Sequence, residues 1–516
     1  MSVDRLGAEV CLNETGTISR FRQVSGWCST LFRDFRSGNK LVGNSVIYTA
    51  GHMAPQVINL AMLPVLTRFL TPREYGIYSY TTAVCAFLAI LGHLAIHSYL
   101  LSAFYSLKKE SASDDFSGSD LFGTIFMFLV VYSLFILGLA FLVMPRFMQN
   151  TQVPFEPYMR LALMSLFIEI IAIIPLTYFR IHEKAAMFVA LTFSQFLLNA
   201  LFSLILIVGL RWGILGRYYG QLGANSVMLA AYLVIMWRVA TFRFNRDTLA
   251  TIKAAIAFAV PMAGAELLYG ATSVSDRIIL ERFVPMSRLG VYSIGFALAS
   301  GIQLLGSGIY KAIEPEIFRV VGDVELEARL LTMKRYIVLI LLVIACVAVS
   351  LSREVVALLA RPAFSDGYII MALVAVNALI QGATIPVSTY IVALKKTRAV
   401  PLICTVSFVT SVALNFLLIP RFGIYGAAVG GIGAALAALA AYVFVTERSS
   451  SLRWNYGPDL RLSAVALMGS AIILQVRLPW ILAVMAIKLA LLGVWFFLLW
   501  ETRFSQPERS VEKACA

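Results

Sequence analysis

The sequence predicts an all-α polytopic membrane protein of about 14 transmembrane helices, with two six-helix repeat lobes around a central cavity and two C-terminal helices. Three observations predict this fold: the composition, a series of apolar stretches, and an internal repeat. Of the 516 residues, 60% are hydrophobic and only 14% are charged, and the mean hydropathy is +0.83. A soluble chain of this length needs far more polar surface, so a soluble fold is excluded.

Apolar stretches long enough to cross a bilayer follow one another along the chain. A transmembrane helix needs about 20 mostly apolar residues. The expected spans lie near 44–70, 75–102, 120–144, 157–180, 185–210, 213–237, 251–275, 288–312, 332–352, 367–392, 399–419, 422–446, 460–476 and 479–499. Because the stretch 460–476 is short, twelve or thirteen spans remain alternatives to fourteen.

The positions of the basic residues predict how these spans are oriented. With a cytoplasmic N-terminus, 28 of the 42 lysines and arginines fall in cytoplasmic segments and 12 in the outer loops. This bias follows the positive-inside rule, and because fourteen is an even number, both termini are expected in the cytoplasm. The net charge of +14 then reflects topology and contact with anionic membrane lipids, so no nucleic-acid partner is expected.

Two pairs of matching segments show that the chain repeats itself. The pattern G-I-x-G-x3-G-x2-G-A begins at Gly213 and again at Gly423, 210 residues later. An Arg-Phe pair followed by G-x-Y-S begins at Arg68 and again at Arg282, 214 residues later. Two related six-helix halves are typical of a transporter, whose substrate site is expected between them. The spacing of the glycines favours close helix packing over a substrate role.

The repeat and the linker between its halves predict the domain organisation. We expect a cytoplasmic tail over residues 1–42, an N-lobe of six spans over 43–240, a C-lobe of six spans over 250–447, two further spans over 458–500, and a second cytoplasmic tail over 501–516. The first tail has no long apolar run and no cleavage site, so it is expected to be retained rather than removed as a signal peptide. The six cysteines are scattered and predict no disulfide framework.

The first repeat motif resembles the signature of a known family. From Arg68 to Gly76 the chain reads R-F-L-T-P-R-E-Y-G, which is similar to the R-x-L-x-P-x-E-Y-G signature of Wzx-type polysaccharide transporters. The stretches 275–292 and 415–428 also resemble this family, and the resemblance covers roughly residues 40–450. The family shares a superfamily with the multidrug MATE exporters and the lipid II flippase.

This resemblance implies a function. The protein is expected to flip undecaprenyl-pyrophosphate-linked oligosaccharide repeat units across the bacterial inner (plasma) membrane by alternating access, for O-antigen, exopolysaccharide or capsule synthesis. The expected partners are this lipid-linked glycan, membrane lipids, H+ or Na+, and the polymerase and chain-length proteins of the same pathway. No cofactor is expected.

Polar residues inside the apolar spans are the candidate site residues. A charge at mid-bilayer costs about 2.5–3.5 kcal/mol on insertion scales, so each one indicates a function or a partner. Cationic side chains bind pyrophosphate by charge-assisted hydrogen bonds, and amides replace the water around sugar hydroxyls. Many of these residues recur at helical spacing, as the lining of a wet cavity requires. The candidates for substrate binding are His52, Gln56, Asn59, His93, His97, Arg217, Arg277, Lys311, Asn377 and Gln381.

Three intramembrane carboxylates are candidates for coupling transport to an ion, namely Glu169, Glu266 and Asp276. For Glu169 a structural pair with a cation of the same lobe, such as Arg217, is an equal alternative. Glu266 and Arg277 share a stripe but lie eleven residues apart, about 16 Å along a helix, which is too far for a direct ion pair. No metal site is expected at the two histidines of the second span, because no further ligand accompanies them.

Two other functions compete with this one. A MATE-like cation-coupled small-molecule exporter is the alternative transporter, but its cavity should be acidic, whereas the cations here at least equal the carboxylates. A membrane enzyme that polymerises or ligates glycans needs a large outer loop with catalytic residues, and the outer loops are short. The sequence has no nucleotide-binding or hydrolase motif, so neither an enzyme nor an ATP-driven pump is expected.

Overall fold

The computed structural model describes residues 40–110, 118–242, 246–320, 324–396, 398–450, 452–476 and 481–504. Within these ranges, side chains are described except at residues 40–54, 110, 246–247, 304–320, 324–329, 481–482 and 497–504. The two predicted tails lie almost wholly outside the described residues, as do Cys11, Cys28 and Cys515.

The described chain is built from helices. The α-helices are α1 (Lys40–Phe69), α2 (Pro72–His93), α3 (Ile96–Glu110), α4 (Ser119–Met148), α5 (Arg160–Ile171), α6 (Ile173–Ile181), α7 (Ala185–Leu204), α8 (Gly213–Val239), α9 (Arg246–Phe283), α10 (Met286–Val320), α11 (Val324–Leu359), α12 (Gly367–Ala393), α13 (Ala399–Phe422), α14 (Ile424–Ser449), α15 (Gly457–Leu474) and α16 (Ile481–Phe504). Single π-helical turns precede α5 and follow α7, and a short 3-10 turn precedes α12. The described residues contain no β-strand.

The predicted all-α membrane fold is confirmed. The pairs α2–α3 and α5–α6 each form one interrupted rod, so the sixteen helices of the described chain make fourteen rods. Eleven of these rods are long and apolar enough to cross a membrane, counted over the described residues. The other three, α1, α10 and α16, are each described only in part. Several rods are longer than the apolar stretches that predicted them, because polar residues continue the helices beyond the hydrocarbon.

The signature that resembles the polysaccharide transporters is the start of α2. Thr71 caps the helix: its hydroxyl accepts from the backbone N–H of Glu74 at 3.3 Å, and the Glu74 carboxylate accepts from the backbone N–H of Thr71 at 2.8 Å. Pro72 occupies the first helical turn, where its missing N–H costs nothing. The T-P-x-E sequence is therefore a capping box that turns the chain back into the membrane.

The glycine pattern packs α8 on α7 and α14 on α13, as its spacing predicted. Gly213 and Gly423 begin the two helices at φ of 54° and 56°, the left-handed region that favours glycine. Gly220 lies against Ser203, and its repeat equivalent Gly430 lies against Asn415. A side chain at either glycine would overlap these neighbours, so the pattern is structural.

The two lobes meet where α2 and α10 begin, and we call this end of the bundle the outer end, following the predicted orientation. We use N-lobe for α1–α8 and C-lobe for α9–α14; the predicted domain boundaries stay a prediction. Gly76 packs against the backbone of Met286, and its repeat equivalent Gly290 packs against the backbone of Pro72. Ser293 donates a hydrogen bond to the hydroxyl of Ser79 at 2.6 Å.

Two further contacts join the lobes at the outer end. The loop before α5 reaches α9: the backbone N–H and side-chain amide of Gln152 donate to the carboxylate and backbone carbonyl of Glu281, at 2.6 and 2.5 Å. The hydroxyl of Thr67, near the end of α1, donates to the carbonyl of Leu359 at 3.1 Å. The outer end of the bundle is therefore closed by direct contacts between the lobes.

The last two helices attach to α11 through two buried ion pairs. Lys334 lies 2.7 Å from Asp459 of α15, and Lys488 of α16 lies 2.8 Å from Glu354. The two α11 residues are twenty positions apart, about 30 Å along a helix. The ion pairs therefore fasten the C-terminal helices at both ends of α11.

Candidate functional site

A cavity of about 880 Å³ lies in the C-lobe among α9, α10, α12, α13 and α14. Among the residues that the structure describes, Gln56 of α1 is its one N-lobe lining residue. The lining extends from Ala427, three residues into α14, to Tyr442, eighteen residues into the same helix. The cavity therefore runs from about 5 Å to about 27 Å below the outer end of the bundle.

Arg277 brings a positive charge to this cavity. It is half-buried, and its guanidinium lies 4.3 Å from the centre of the Phe296 ring. One of its N–H groups donates a long hydrogen bond to the carbonyl of Ser273 at 3.4 Å. It forms no ion pair with a carboxylate in the described part of the chain. Most of its five donors therefore remain available to a bound anion.

Asp276, beside Arg277, is occupied within the protein. One carboxylate oxygen accepts a hydrogen bond from the hydroxyl of Tyr292. The other accepts a hydrogen bond from the backbone N–H of Arg277 at 2.7 Å. The carboxylate is 9% exposed. Both oxygens thus have donors, so Asp276 offers less negative charge to the cavity than its position in the sequence suggested.

A row of amides faces the cavity from α10 and α12. Gln381 donates to Asn377 at 3.3 Å and accepts from Gln303 at 3.3 Å. Thr384 and Ser388 continue the row along α12. The predicted residues Gln56, Arg277, Asn377, Gln381 and Asp276 are thus brought together around one cavity.

Polar residues of α13 complete the lining, and the sequence analysis did not select them. Ser407, Ser411 and Asn415 recur every four residues and face the cavity. Asn415 is 1% exposed, and neither its amide nitrogen nor its oxygen has a partner among the described atoms. Buried amides normally have hydrogen-bond partners, so this unpaired amide makes Asn415 a further candidate site residue. The i, i+4, i+8 spacing in span 11 was the signal that could have found them.

Arg217 lies in the N-lobe, away from this cavity. It is 6% exposed and donates to three neutral side chains: Asn199, Ser203 at 2.8 Å, and the hydroxyl of Tyr78 at 2.9 Å. No described carboxylate pairs with it. This placement favours a structural role inside its own lobe, and its predicted role in substrate binding stays a prediction.

The internal repeat gives a reason why the equivalent space in the N-lobe is filled among the described residues. The repeat offsets equate Tyr78 with Tyr292 and Arg217 with Ala427, and the matched glycine contacts equate Ser203 with Asn415. Asn199, one turn before Ser203, then corresponds to Ser411.

All four equivalents in the C-lobe line the cavity, namely Tyr292, Ser411, Asn415 and Ala427. The side chain of Arg217 therefore fills in the N-lobe the space that Ala427 leaves open in the C-lobe.

Glu169 does not pair with Arg217, the alternative that the sequence left open. Its carboxylate accepts from the amides of Gln221 and Asn225, both at 3.0 Å. Arg217, Gln221 and Asn225 lie on one stripe of α8, and the two amides hold Glu169 one to two turns from the guanidinium. Whether Glu169 couples transport to an ion stays a prediction.

Comparison with known proteins identifies the family of this chain. A sequence model of the family described as polysaccharide biosynthesis protein matches residues 41–321, more than half of the chain. The chain belongs to this family. A search of the curated proteins found no match.

Solved structures show the same fold for this polysaccharide biosynthesis protein. The lipid II flippase MurJ in an inward closed conformation is 12% identical, and the match covers 89% of this chain and 99% of that one with a TM-score of 0.66. An inward-facing multidrug MATE transporter of the MOP superfamily is 16% identical, with coverages of 79% and 98% and a TM-score of 0.62. A Vibrio cholerae MATE transporter is 16% identical, with coverages of 83% and 98% and a TM-score of 0.51. The chain thus has the same fold as these transporters.

A second group of predicted residues meets where the two lobes of this polysaccharide biosynthesis protein touch. The ring nitrogens of His93 and His97 lie 3.9 and 3.8 Å from the two oxygens of Glu266. The histidines belong to the N-lobe and the glutamate to α9 of the C-lobe. None of the three lines the C-lobe cavity, so two predicted substrate ligands and one predicted coupling residue form a separate cluster.

Three candidates for substrate binding remain. The side chains of His52 and Lys311 lie outside the described part of the structure. Asn59 is exposed on α1 and does not line the cavity. Their predicted contacts with substrate stay predictions.

Proposed function

We propose that this protein flips undecaprenyl-pyrophosphate-linked oligosaccharide repeat units across the bacterial inner membrane, for O-antigen, exopolysaccharide or capsule synthesis, with both termini in the cytoplasm. The observation that carries this proposal is the lining of the cavity. Arg277 lies there half-buried among amides and hydroxyls, and it forms no ion pair with a described carboxylate. Family membership supports a place in polysaccharide synthesis.

The chemistry of the lining suits each polar part of such a substrate. Arg277 offers paired N–H donors to a pyrophosphate, and arginine binds phosphate oxygens by two parallel charge-assisted hydrogen bonds. Asn377, Gln381 and Gln303 offer both donors and acceptors to sugar hydroxyls, which lose water on entering the protein and need replacement partners. A volume of about 880 Å³ is near the upper end of the roughly 300–1,000 Å³ of ligand pockets, so several sugar rings fit better than one small ion.

The contacts between the lobes support alternating access. With the predicted orientation, the contacts of α2 with α10 and of Gln152 with Glu281 close the side away from the cytoplasm. A substrate would enter this form from the cytoplasmic side while its lipid tail stays in the bilayer. Parting of the outer contacts would then release the glycan on the other side, as in other transporters built from two repeats.

The alternative, a MATE-like cation-coupled small-molecule exporter, fits the cavity less well. A cationic substrate needs free carboxylates, whereas Asp276 is already held by Tyr292 and lies beside Arg277. The positive charge of Arg277 would repel such a substrate.

Proteoliposomes test the proposal. The purified protein is reconstituted with a polyprenyl-pyrophosphate-linked oligosaccharide, and the fraction of glycan reached by an external glycosidase is measured over time. We expect Arg277→Ala to slow transport at least tenfold and Arg277→Lys to recover part of the rate, since lysine keeps the charge but not the two parallel bonds. Arg288→Ala is the matched control, because Arg288 pairs with Asp366 at 2.7 Å outside the cavity.

Two results would argue against a lipid-linked glycan as substrate. One is unchanged transport in Arg277→Ala. The other is transport of a cationic dye by wild-type proteoliposomes that do not move the lipid-linked glycan, which would favour the small-molecule exporter.

A further inference from the structure

The rod formed by α2 and α3 is broken inside the membrane by two residues in an unusual conformation. Leu94 and Ala95 have φ of 48° and 51°, and neither is a glycine. Residues with a side chain rarely adopt this left-handed region outside Asn and Asp. The break is packed, because Ala95 and Ile96 are fully buried. Such backbone outliers concentrate at functional sites and switch regions.

His93 stabilises the break through one ring nitrogen. Its Nδ1 accepts a hydrogen bond from the backbone N–H of Ala95 at 3.1 Å. A ring nitrogen that accepts a hydrogen bond carries no proton, so this contact requires a neutral ring with its proton on Nε2. The left-handed turn thus has its free N–H satisfied only while His93 is uncharged.

The same nitrogen faces a carboxylate of the other lobe. Nδ1 of His93 lies 3.9 Å from Oε2 of Glu266, and Nε2 of His97 lies 3.8 Å from Oε1. The two rings meet edge to face, with centres 5.9 Å apart. Because the lone pair of a neutral Nδ1 repels a carboxylate, a proton on Nδ1 would turn this approach into an attractive, charge-assisted contact.

Among the described residues, Glu266 is the acidic side chain that faces His93 and His97. The positive charge of Arg180 in α6 would repel a positively charged His97. The helix α5 presents Ile170 to Gly92, while its Glu169 is held by the amides of α8. Between Asp120 and Arg146, α4 has no acidic or basic residue.

We propose that His93 is a proton-binding site that couples the break between α2 and α3 to the contact between the lobes. A proton from water binds Nδ1, which releases the N–H of Ala95 and lets His93 donate to Glu266. Loss of the proton restores the cap and frees Glu266. The path from water is short, since Glu266 and His97 each have 33% of their side-chain surface exposed.

The proton site itself does not depend on the proposed function. Its role in transport does, because there the bound proton would change the contact between the lobes. The neutral and protonated states of His93 differ by one proton. In the first, Nδ1 accepts from the N–H of Ala95, and in the second it donates to the carboxylate of Glu266.

Nuclear magnetic resonance of the full chain in lipid nanodiscs tests the site. The sequence has four histidines, so ¹⁵N-labelled rings can be assigned by single substitutions. We expect the His93 ring at pH 8 to carry its proton on Nε2 and to gain a second proton on Nδ1 on acidification to pH 5.5. Over the same range, hydrogen exchange of the Ala95 amide, corrected for the intrinsic effect of pH, should rise at least tenfold.

Substitutions separate the switch from a packing role. In His93→Asn the side-chain oxygen can still accept from Ala95 but binds no proton, so the amide should stay protected at both pH values. Glu266→Gln removes the counter-ion and should also keep the amide protected at pH 5.5. His182→Asn, which changes a histidine at the inner end of α6, should behave as the wild-type protein.

The outcomes that overturn the proposal are distinct from failure of the proposed function. A wild-type His93 ring that already carries a proton on Nδ1 at pH 8 contradicts it, and so does an equal response of the Ala95 amide in His93→Asn. Wild-type proteoliposomes that fail to move a lipid-linked glycan contradict the proposed function instead and leave the ring titration unaffected.

Discussion

Ser79 and Ser293 share one hydrogen bond of 2.6 Å and are 214 positions apart, which is the offset of the internal repeat. Each serine is therefore bonded to its own repeat equivalent. Gly76 and Gly290, one turn earlier, each pack against the start of the opposite helix. The motif that recurs in the sequence thus meets its own copy where the lobes touch.

A disulfide between these two positions should lock the outer end. In a background without the native cysteines, Ser79→Cys with Ser293→Cys should form a disulfide on oxidation, because the hydroxyl oxygens already lie at hydrogen-bond distance. Oxidation should reduce transport in proteoliposomes at least tenfold, and reductant should restore it. The single-cysteine variants are the controls, and unchanged transport in the oxidised double variant would show that the outer contact does not open.

A methyl group at Gly76 should separate the lobes at the same place. Its carbon would overlap the backbone carbonyl of Met286, which cannot move without moving α10. Overpacking of this kind costs about 1–3 kcal/mol. We expect Gly76→Ala to increase labelling of a cysteine at position 79 by a polar thiol reagent. Gly138→Ala is the matched control, because nothing lies near its added carbon, and equal labelling in both variants would contradict the packing argument.

Arg217→Ala should destabilise the N-lobe without removing a substrate contact. Asn199, Ser203 and Tyr78 would each lose a partner, at about 1–3 kcal/mol for each buried polar group left unsatisfied. We expect a lower thermal unfolding temperature in nanodiscs. At a temperature where the variant stays folded, its apparent affinity for the lipid-linked glycan should be close to that of the wild-type protein, whereas Arg277→Ala should weaken it. Loss of affinity in a folded Arg217→Ala would return this residue to the substrate site.

The buried pair of Lys488 and Glu354 should show strong coupling in a double-mutant cycle. Lys488 is fully buried and also donates to the carbonyls of Ser350 and Leu474. Lys488→Met leaves a buried carboxylate unpaired, which costs about 3–5 kcal/mol. Adding Glu354→Gln should recover much of this loss, as measured by thermal unfolding. The exposed pair of Arg453 and Glu447 is the control, with an expected coupling of about 0–1 kcal/mol.

Reporter fusions test the orientation on which the outer end depends. Fusions after residues 150 and 365 should report the outside, because both follow odd-numbered rods in a chain with a cytoplasmic start. A fusion after residue 325, beyond α10, should report the inside. An outside signal at 325 would overturn the repeat assignment.

The fold could be predicted from the sequence because hydrocarbon allows few alternatives. Apolar stretches near 20 residues long must be helices, since an unpaired backbone group in lipid is too costly. The break at Leu94 and Ala95 was not predicted, because neither residue is a glycine or a proline and the apolar pattern continues through it. It depends on tertiary contacts that a single sequence does not display.

The site was predicted in part, for a reason that Arg217 and Arg277 illustrate. Both are arginines on a polar stripe of an apolar helix, so the sequence treats them alike. Only the neighbouring helices decide that one is enclosed by its own lobe and the other lines a cavity. Glu266 and Arg277 form no ion pair in the described chain, as their spacing predicted. The histidines that face Glu266 come from the other lobe, and helical spacing gives no information across lobes.

Filling one of two equivalent spaces also bears on how such a protein can evolve. A chain formed by duplicating one six-helix unit starts with interchangeable halves. In this chain, position 217 carries an arginine enclosed by its own lobe, whereas position 427 carries an alanine beside a cavity. The two halves are therefore no longer interchangeable at this pair of positions. A symmetry of the backbone thus coexists with an asymmetry of side chains.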